Sequence, residues 1–209
     1  MSEVIIKNAA TGDTVKVTKK GYLKTVAISE NVKDHACDSG IEQKYNINTG
    51  DITFTNDSVT SVLYIKNEAA TGDLVLEAFI YNLGNTTSGS GDVKIDILRN
   101  PTAGDIVSNA NNVLVGAGVS ANQNFGSPNT LTGKFYKGAS AETVFSDGDV
   151  TVTTRSPSST GRIVVSLGAM VLPRGTSVGL NYTPPSGNTS QICQFAVSCY
   201  LSTEDVGEP

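Results

Sequence analysis

The residues with the widest chemical reach in this chain are one histidine and three cysteines. His35 stands in Asp34-His35-Ala36-Cys37-Asp38, with Cys193 and Cys199 far downstream. A cysteine nucleophile needs a nearby base or cation to draw off its proton. Neighbours in sequence seldom reach that geometry and nothing around Cys37 marks an oxyanion site, so a polar loop is the plainer reading. A zinc centre needs four ligands at workable spacing, which one histidine and scattered cysteines do not offer. Cys193 and Cys199 share one face of a strand-like run, ~20 Å apart at strand rise, too far to bridge. Buried, reduced thiols of a protein made in a cytosol are expected.

Oxygen ligands come next. Ser146-Asp147-Gly148-Asp149 sets two carboxylates beside a glycine turn, and oxygen-rich loops hold hard cations. The twelve-residue loop with its closing Glu is absent, so a structural cation stays open beside an ordinary hairpin turn. Gly84 to Gly91 has neither the lysine nor the following helix of a phosphate loop. Sugar platforms expose aromatic faces. The chain has no Trp, leaving Tyr136 and Tyr182, in loop-like surroundings, as the stacking candidates. No catalytic residue, cofactor or metal is assigned.

The elements that must position these residues are strands. Charged residues are 17% of the chain, against about 25% ordinarily, and Thr, Ser, Asn and Gly take their place. That mixture favours short strands and turns over long helices. A net charge of −5 without a basic block argues against sequence-independent nucleic-acid binding. No run of about 18 apolar residues reads as a membrane span. The opening Met1-Ser-Glu-Val-Ile-Ile-Lys7 lacks the basic flank and apolar core of a secretion signal.

Gly-Asp occurs six times, at Gly12, Gly50, Gly72, Gly91, Gly104 and Gly148, each time ahead of β-favouring residues. Glycine supplies the positive φ of a tight turn and Asp bonds its amides, so the motif predicts turn, then strand. Between these turns the apolar residues alternate. Leu74, Leu76, Ala78 and Ile80 share one face, with Val75, Glu77, Phe79 and Tyr81 on the other. Val93, Ile95 and Ile97 alternate with Lys94 and Asp96. Strands are also predicted over 22–29, 41–48, 61–67, 150–154, 163–167, 177–182 and 193–201. Eight to ten strands without helices mean a β-sandwich or barrel. Ile6 to Asp13 recurs almost unchanged as Ile65 to Asp73, which reads as two hairpins sharing a turn design.

The pattern weakens from Ile106 to Thr132, and a loop of that length is usually functional or packed on a neighbour. Residues 1–30 read as a short N-terminal β arm rich in lysine, 31–203 as the main domain, and 204–209 as an acidic flexible tail.

Several phrases then fall in a telling order: Tyr45-Asn-Ile-Asn-Thr-Gly50, Leu63-Tyr-Ile-Lys-Asn67, Arg99-Asn-Pro-Thr-Ala-Gly104, Asn124-Phe-Gly-Ser127, Tyr136-Lys-Gly138, Leu172-Pro-Arg-Gly175 and Thr183-Pro-Pro-Ser-Gly-Asn-Thr189. Over about residues 40–200 the chain resembles virion proteins of tailed phages and environmental viruses, jelly-roll proteins that decorate or cement capsids. The opening arm, with Val15-Lys16-Val17 and Gly21-Tyr22-Leu23-Lys24, is similar to the short β arms of phage surface proteins. The resemblance implies an all-β, jelly-roll-like β-sandwich and a non-enzymatic role in the virion after synthesis in the host cytoplasm. It also implies a homo-trimer and partners among the major capsid protein or other virion proteins. Lys16, Lys19, Lys20 and Tyr22 in the arm, and Asn124, Phe125 and Tyr136 in the long loop region, are the expected capsid or subunit contacts. The alternative is a receptor- or glycan-binding head of a phage fibre or tail.

Overall fold

Alternating apolar residues give this chain strands, and their order gives it a name. The computed structural model describes residues 44–108, 121–122, 129–158 and 161–202, together with two short strands at 5–7 and 14–16. The chain divides into Met1–Asp34 and His35–Pro209. In the first unit β1 (Ile5–Lys7) and β2 (Thr14–Lys16) form an antiparallel pair, Ile5 opposite Lys16.

The second unit holds β3 (Lys44–Phe54), β4 (Thr60–Asn67), β5 (Asp73–Thr86), β6 (Asp92–Arg99), a one-turn helix α1 (Asp105–Ser108), β7 (Ala121–Asn122), β8 (Gly133–Lys137), β9 (Asp149–Pro157), β10 (Gly161–Leu172), β11 (Ser177–Thr183) and β12 (Gln191–Ser202). One sheet runs β10-β5-β12-β3-β7 and the other β8-β4-β11-β6-β9. The pairing is nested: β3 lies antiparallel to β12, β4 to β11, β5 to β10 and β6 to β9. The chain is thus one long antiparallel ribbon, rolled until β12 meets β5 and β11 meets β6. That is the strand order of a jelly roll: the sandwich was expected from the alternation, and the jelly roll from the resemblance. Ile47, Phe54, Leu63, Ile65, Leu74, Leu76, Ile97, Leu180, Tyr182, Phe195 and Val197 fill the space between the sheets.

Four sequence expectations need correction. The β5 alternation slips, because a register shift between Ser198 and Cys199 leaves Glu77 out of the ladder. Leu74 and Leu76 therefore share the core with Phe79, Tyr81 and Leu83, while Ala78 and Ile80 turn outward; an extra residue in a strand reverses every side chain beyond it. Among the described glycines of the Gly-Asp motif, φ is positive at all five, from 64° to 137°, but two do not precede a new strand. Gly50 sits inside β3 at a bulge, where the Phe195 amide donates to Thr49 Oγ1 (3.0 Å) and the Gly50 amide to Asn48 Oδ1 (2.8 Å). Gly104 leads into α1, a helix where none was expected. Finally, Ile65 to Asp73 is no hairpin. It carries the chain from β4 in one sheet to β5 in the other, a corner braced by Asn67, whose Nδ2 donates to Gly72 O (3.2 Å) and Leu172 O (2.9 Å).

Candidate functional site

The described residues between β6 and β9, 100–108, 121–122 and 129–148, cover one flank of the sandwich. β7 pairs with β3, the outer strand of its sheet, and β8 with β4, so the insertion supplies an edge to both sheets. It also crosses the outer face of β4 and β11. Thr60 Oγ1 donates to Ala139 O (2.9 Å) and Ser61 Oγ to Thr143 O (3.0 Å). The Phe145 amide donates to Asn181 Oδ1 (3.1 Å) and Asn181 Nδ2 returns a bond to Phe145 O (3.2 Å). Tyr64, Leu98, Ile106 and Phe145 make a second small core there. This explains why β4 and β11 are buried on both faces.

Tyr136, expected as a contact from a loop, lies on β8 opposite Tyr64 and stacks on it, centroids 5.8 Å apart and planes 19° apart. Half-buried against the second core, it joins insertion to sheet. Lys16 is on β2. Lys19, Lys20, Tyr22, Asn124 and Phe125 lie outside the described residues, as do His35 and Cys37. Tyr182, the other stacking candidate, is fully buried on β11. Its hydroxyl donates to Gln191 Oε1 (2.7 Å) and accepts from the Cys193 thiol (3.7 Å), and burial pushes its pKa well up. No sugar reaches that ring.

The remaining chemical candidates are tied into the framework. Both oxygens of Asp147 take the Thr102 amide (2.9 and 3.1 Å), Oδ1 takes the Ala103 amide (2.9 Å), and the Thr102 hydroxyl adds a further bond. The Thr102 hydroxyl and these amides hold its carboxyl below the usual range. The carboxylate clamps the start of the insertion to the β9 hairpin, which gives it an occupation other than a cation. Among the described residues no group of three His, Cys, Asp or Glu is placed to hold a metal. Cys193 and Cys199 are free and buried, and burial raises both thiols. Lys44, buried on β3, pairs with Glu77 at 2.7 Å, and Ser198 Oγ donates to the same carboxylate (3.0 Å).

The opposite flank differs. β9 and β10, consecutive in the chain, are the outermost strands of the two sheets on that side. Val150 is 57% exposed, Val164 56% and Val171 42%. Val152, Ile163, Val165, Leu167 and Met170 pack on the core but are only partly buried. A cleft of about 330 Å³ lies here, lined by Arg99, Thr151, Met170, Val171, Leu172 and Val178 among others. Sequence reasoning missed this surface. Its one signal is the unbroken Ile163-Val164-Val165, where strict alternation would have put a polar residue outward.

Among the described residues, a jelly roll with an insertion along one flank and none along the other is the class this geometry defines. The chain is similar to the X-ray structure of the Triatoma virus empty capsid over 100% of this chain and 95% of that one, at 8% identity and a TM-score of 0.23. A likeness that slight has no bearing on function, and the fold rests on the strand order. No protein-family model matches the chain, and no curated protein does. Among the described residues no helix is long and apolar enough to cross a membrane.

Proposed function

We propose that the chain is a non-enzymatic structural subunit of a virion, a capsid decoration or cement protein that acts by burying surface on the shell and on sister copies. Its partners are the major capsid protein or other virion proteins. The observation that supports this most directly is the nested jelly roll with a half-finished flank. Jelly rolls build viral capsid and lectin domains, and a sandwich whose core side chains reach solvent on one side only is suited to be completed by a neighbour. The resemblance of the phrase order to phage virion proteins points the same way. The alternative, a receptor- or glycan-binding head, has lost both of its tyrosines, one to the core and one to the joint between β8 and β4. Mixing the protein with undecorated capsids and sedimenting the particles tests the reading. Saturable co-sedimentation is the expected result; protein that stays in the supernatant at every ratio would refute it.

A further inference from the structure

We propose that the cleft between β9 and β10 binds the free anion of a medium-length fatty acid, its chain against the core side chains and its carboxylate on Arg99. This goes beyond the virion reading and does not depend on it.

Three observations carry it. First, the cleft reaches the core. The two outer strands both lose register at this end of the flank, β9 beside Thr151 and β10 between Ser166 and Met170, and a bulge bends its strand away from its neighbours. The opening holds about 330 Å³ and is lined by Met170, partly buried on the core, and by the buried Leu172 and Val178. That volume is at the small end of ligand sites, roughly 300–1,000 Å³. It suits a single unbranched chain and is too small for a two-chain lipid.

Second, the lining offers one uncommitted charge. The other polar groups around the opening are engaged with the frame: Thr151 Oγ1 donates to Ile97 O (3.1 Å), Thr176 Oγ1 to Pro173 O (2.6 Å), and the Ser177 amide to Asn100 Oδ1 (2.8 Å). Arg99, exposed at the end of β6, is the charged residue of the lining. Asp149 is its cross-strand neighbour, yet the ion pairs among the described residues are those of Lys44, Lys66, Lys94 and Lys134. No described carboxylate therefore occupies the guanidinium, whose fork of donors matches one.

Third, the neighbourhood selects the head group. One cation with Asp149 close by penalises a doubly charged phosphate more than a singly charged carboxylate. The apolar walls select the tail, because each methylene taken from water is worth about fourfold in affinity.

Met170 supplies the probe. The chain has two methionines, Met1 and Met170, so isotope labelling at the methionine methyls gives one resonance inside the cleft and one remote control. Titration with decanoate should shift the Met170 methyl saturably, half-saturating at ~100 µM, and leave Met1 unmoved. Octanoate, two methylenes shorter, should need about 15-fold more. Arg99→Gln, at an exposed position, should weaken decanoate about 10-fold while leaving the melting temperature unchanged. Decanol should bind the wild-type chain no better than decanoate binds that variant. A Met170 methyl that stays in place up to ~2 mM decanoate, octanoate and decanoate of equal strength, undiminished binding by Arg99→Gln, or decanol as strong as decanoate would each overturn the proposal.

Discussion

Tyr182→Phe separates the polar from the apolar part of the core. The Tyr182 ring packs 4.8 Å from Phe54 and 5.3 Å from Phe195, centroid to centroid, and phenylalanine keeps both contacts. What disappears is the hydroxyl, and with it the 2.7 Å bond to Gln191 Oε1 and the acceptor for the Cys193 thiol. Gln191 is 1% exposed, so water cannot replace the lost donor. An unsatisfied buried acceptor costs about 1–3 kcal/mol. With a urea m-value of ~2 kcal/mol/M, a loss near 2 kcal/mol lowers the unfolding midpoint by about 1 M. Gln191→Met strands the Tyr182 hydroxyl and also Gly84 O, to which Gln191 Nε2 donates at 3.1 Å. The double variant leaves Gly84 O and the Cys193 thiol without these partners but strands neither Gln191 Oε1 nor the Tyr182 hydroxyl, so it should be less damaged than the two single losses summed, by ~1–2 kcal/mol. Urea titrations of the four proteins measure the cycle. Losses that add within ~0.3 kcal/mol would refute the claim that this pair acts as a unit.

Other perturbations test other joints. A Cβ on Gly179 would meet the Phe145 ring at 2.6 Å and Pro101 at 2.8 Å, so Gly179→Ala should cost ~1–3 kcal/mol and make residues 100–148 the first site of limited proteolysis. Asp147→Asn removes the charge that two amides and a hydroxyl bind; hydrogen exchange at Thr102 and Ala103 should quicken while that of β12 stays unchanged. The raised pKa values of Cys193, Cys199 and Tyr182 mean that the fold keeps protons which the unfolded chain releases above pH ~8.5 for thiols and ~10 for tyrosine. Stability is therefore full below ~8.5 and declines as pH rises, which melts between pH 7 and 10.5 will show. Peptide mapping after alkylation at pH 8 should find Cys193 and Cys199 modified only when the chain is unfolded first.

Strand positions were legible because alternation is local, and the Gly-Asp turns divided the chain close to where strands begin. What decides the fold is not local. β3 pairs with β12 across most of the chain, and nothing in either strand names the other. The same limit explains the β5 error: a bulge at Glu77 is fixed by the neighbouring strand. β8 was missed because Gly133-Lys-Phe-Tyr-Lys137 is short and flanked by glycines that sequence reasoning assigns to loops. Here the missing side chains let the backbone approach β4, Gly138 donating to Val62 O at 3.0 Å. Tyr182 stands at the end of the predicted strand 177–182, which gives it a loop-like setting in sequence, although Val178, Leu180 and Tyr182 share the inward phase. Lys19, Lys20, Tyr22, Asn124 and Phe125 lie outside the described residues, so the arm and the loop remain contact candidates on sequence grounds.

The two flanks pose one physical problem with two answers. Rolling a ribbon into a jelly roll always leaves open edges, because the outer strands of each sheet have a neighbour on one side only. On the β3–β4 side the answer is the described part of the segment between β6 and β9, fixed by Asn181, Thr60, Ser61 and Asp147. No comparable device lies over β9 and β10 among the described residues: the β9–β10 connection is short, and Val150, Val164 and Val171 reach solvent there beside Thr151, Thr153, Arg155, Arg162 and Ser166. Edges left for solvent usually carry charges, proline or a bulge, and these two do: β9 has Asp149, Arg155 and Pro157, and the register shifts in β9 beside Thr151 and in β10 between Ser166 and Met170. The buried thiols, the Lys44–Glu77 pair and the Asp147 clamp are meanwhile committed to holding strands in place. Surface, more than any reactive group described, is what this fold has left to offer a partner.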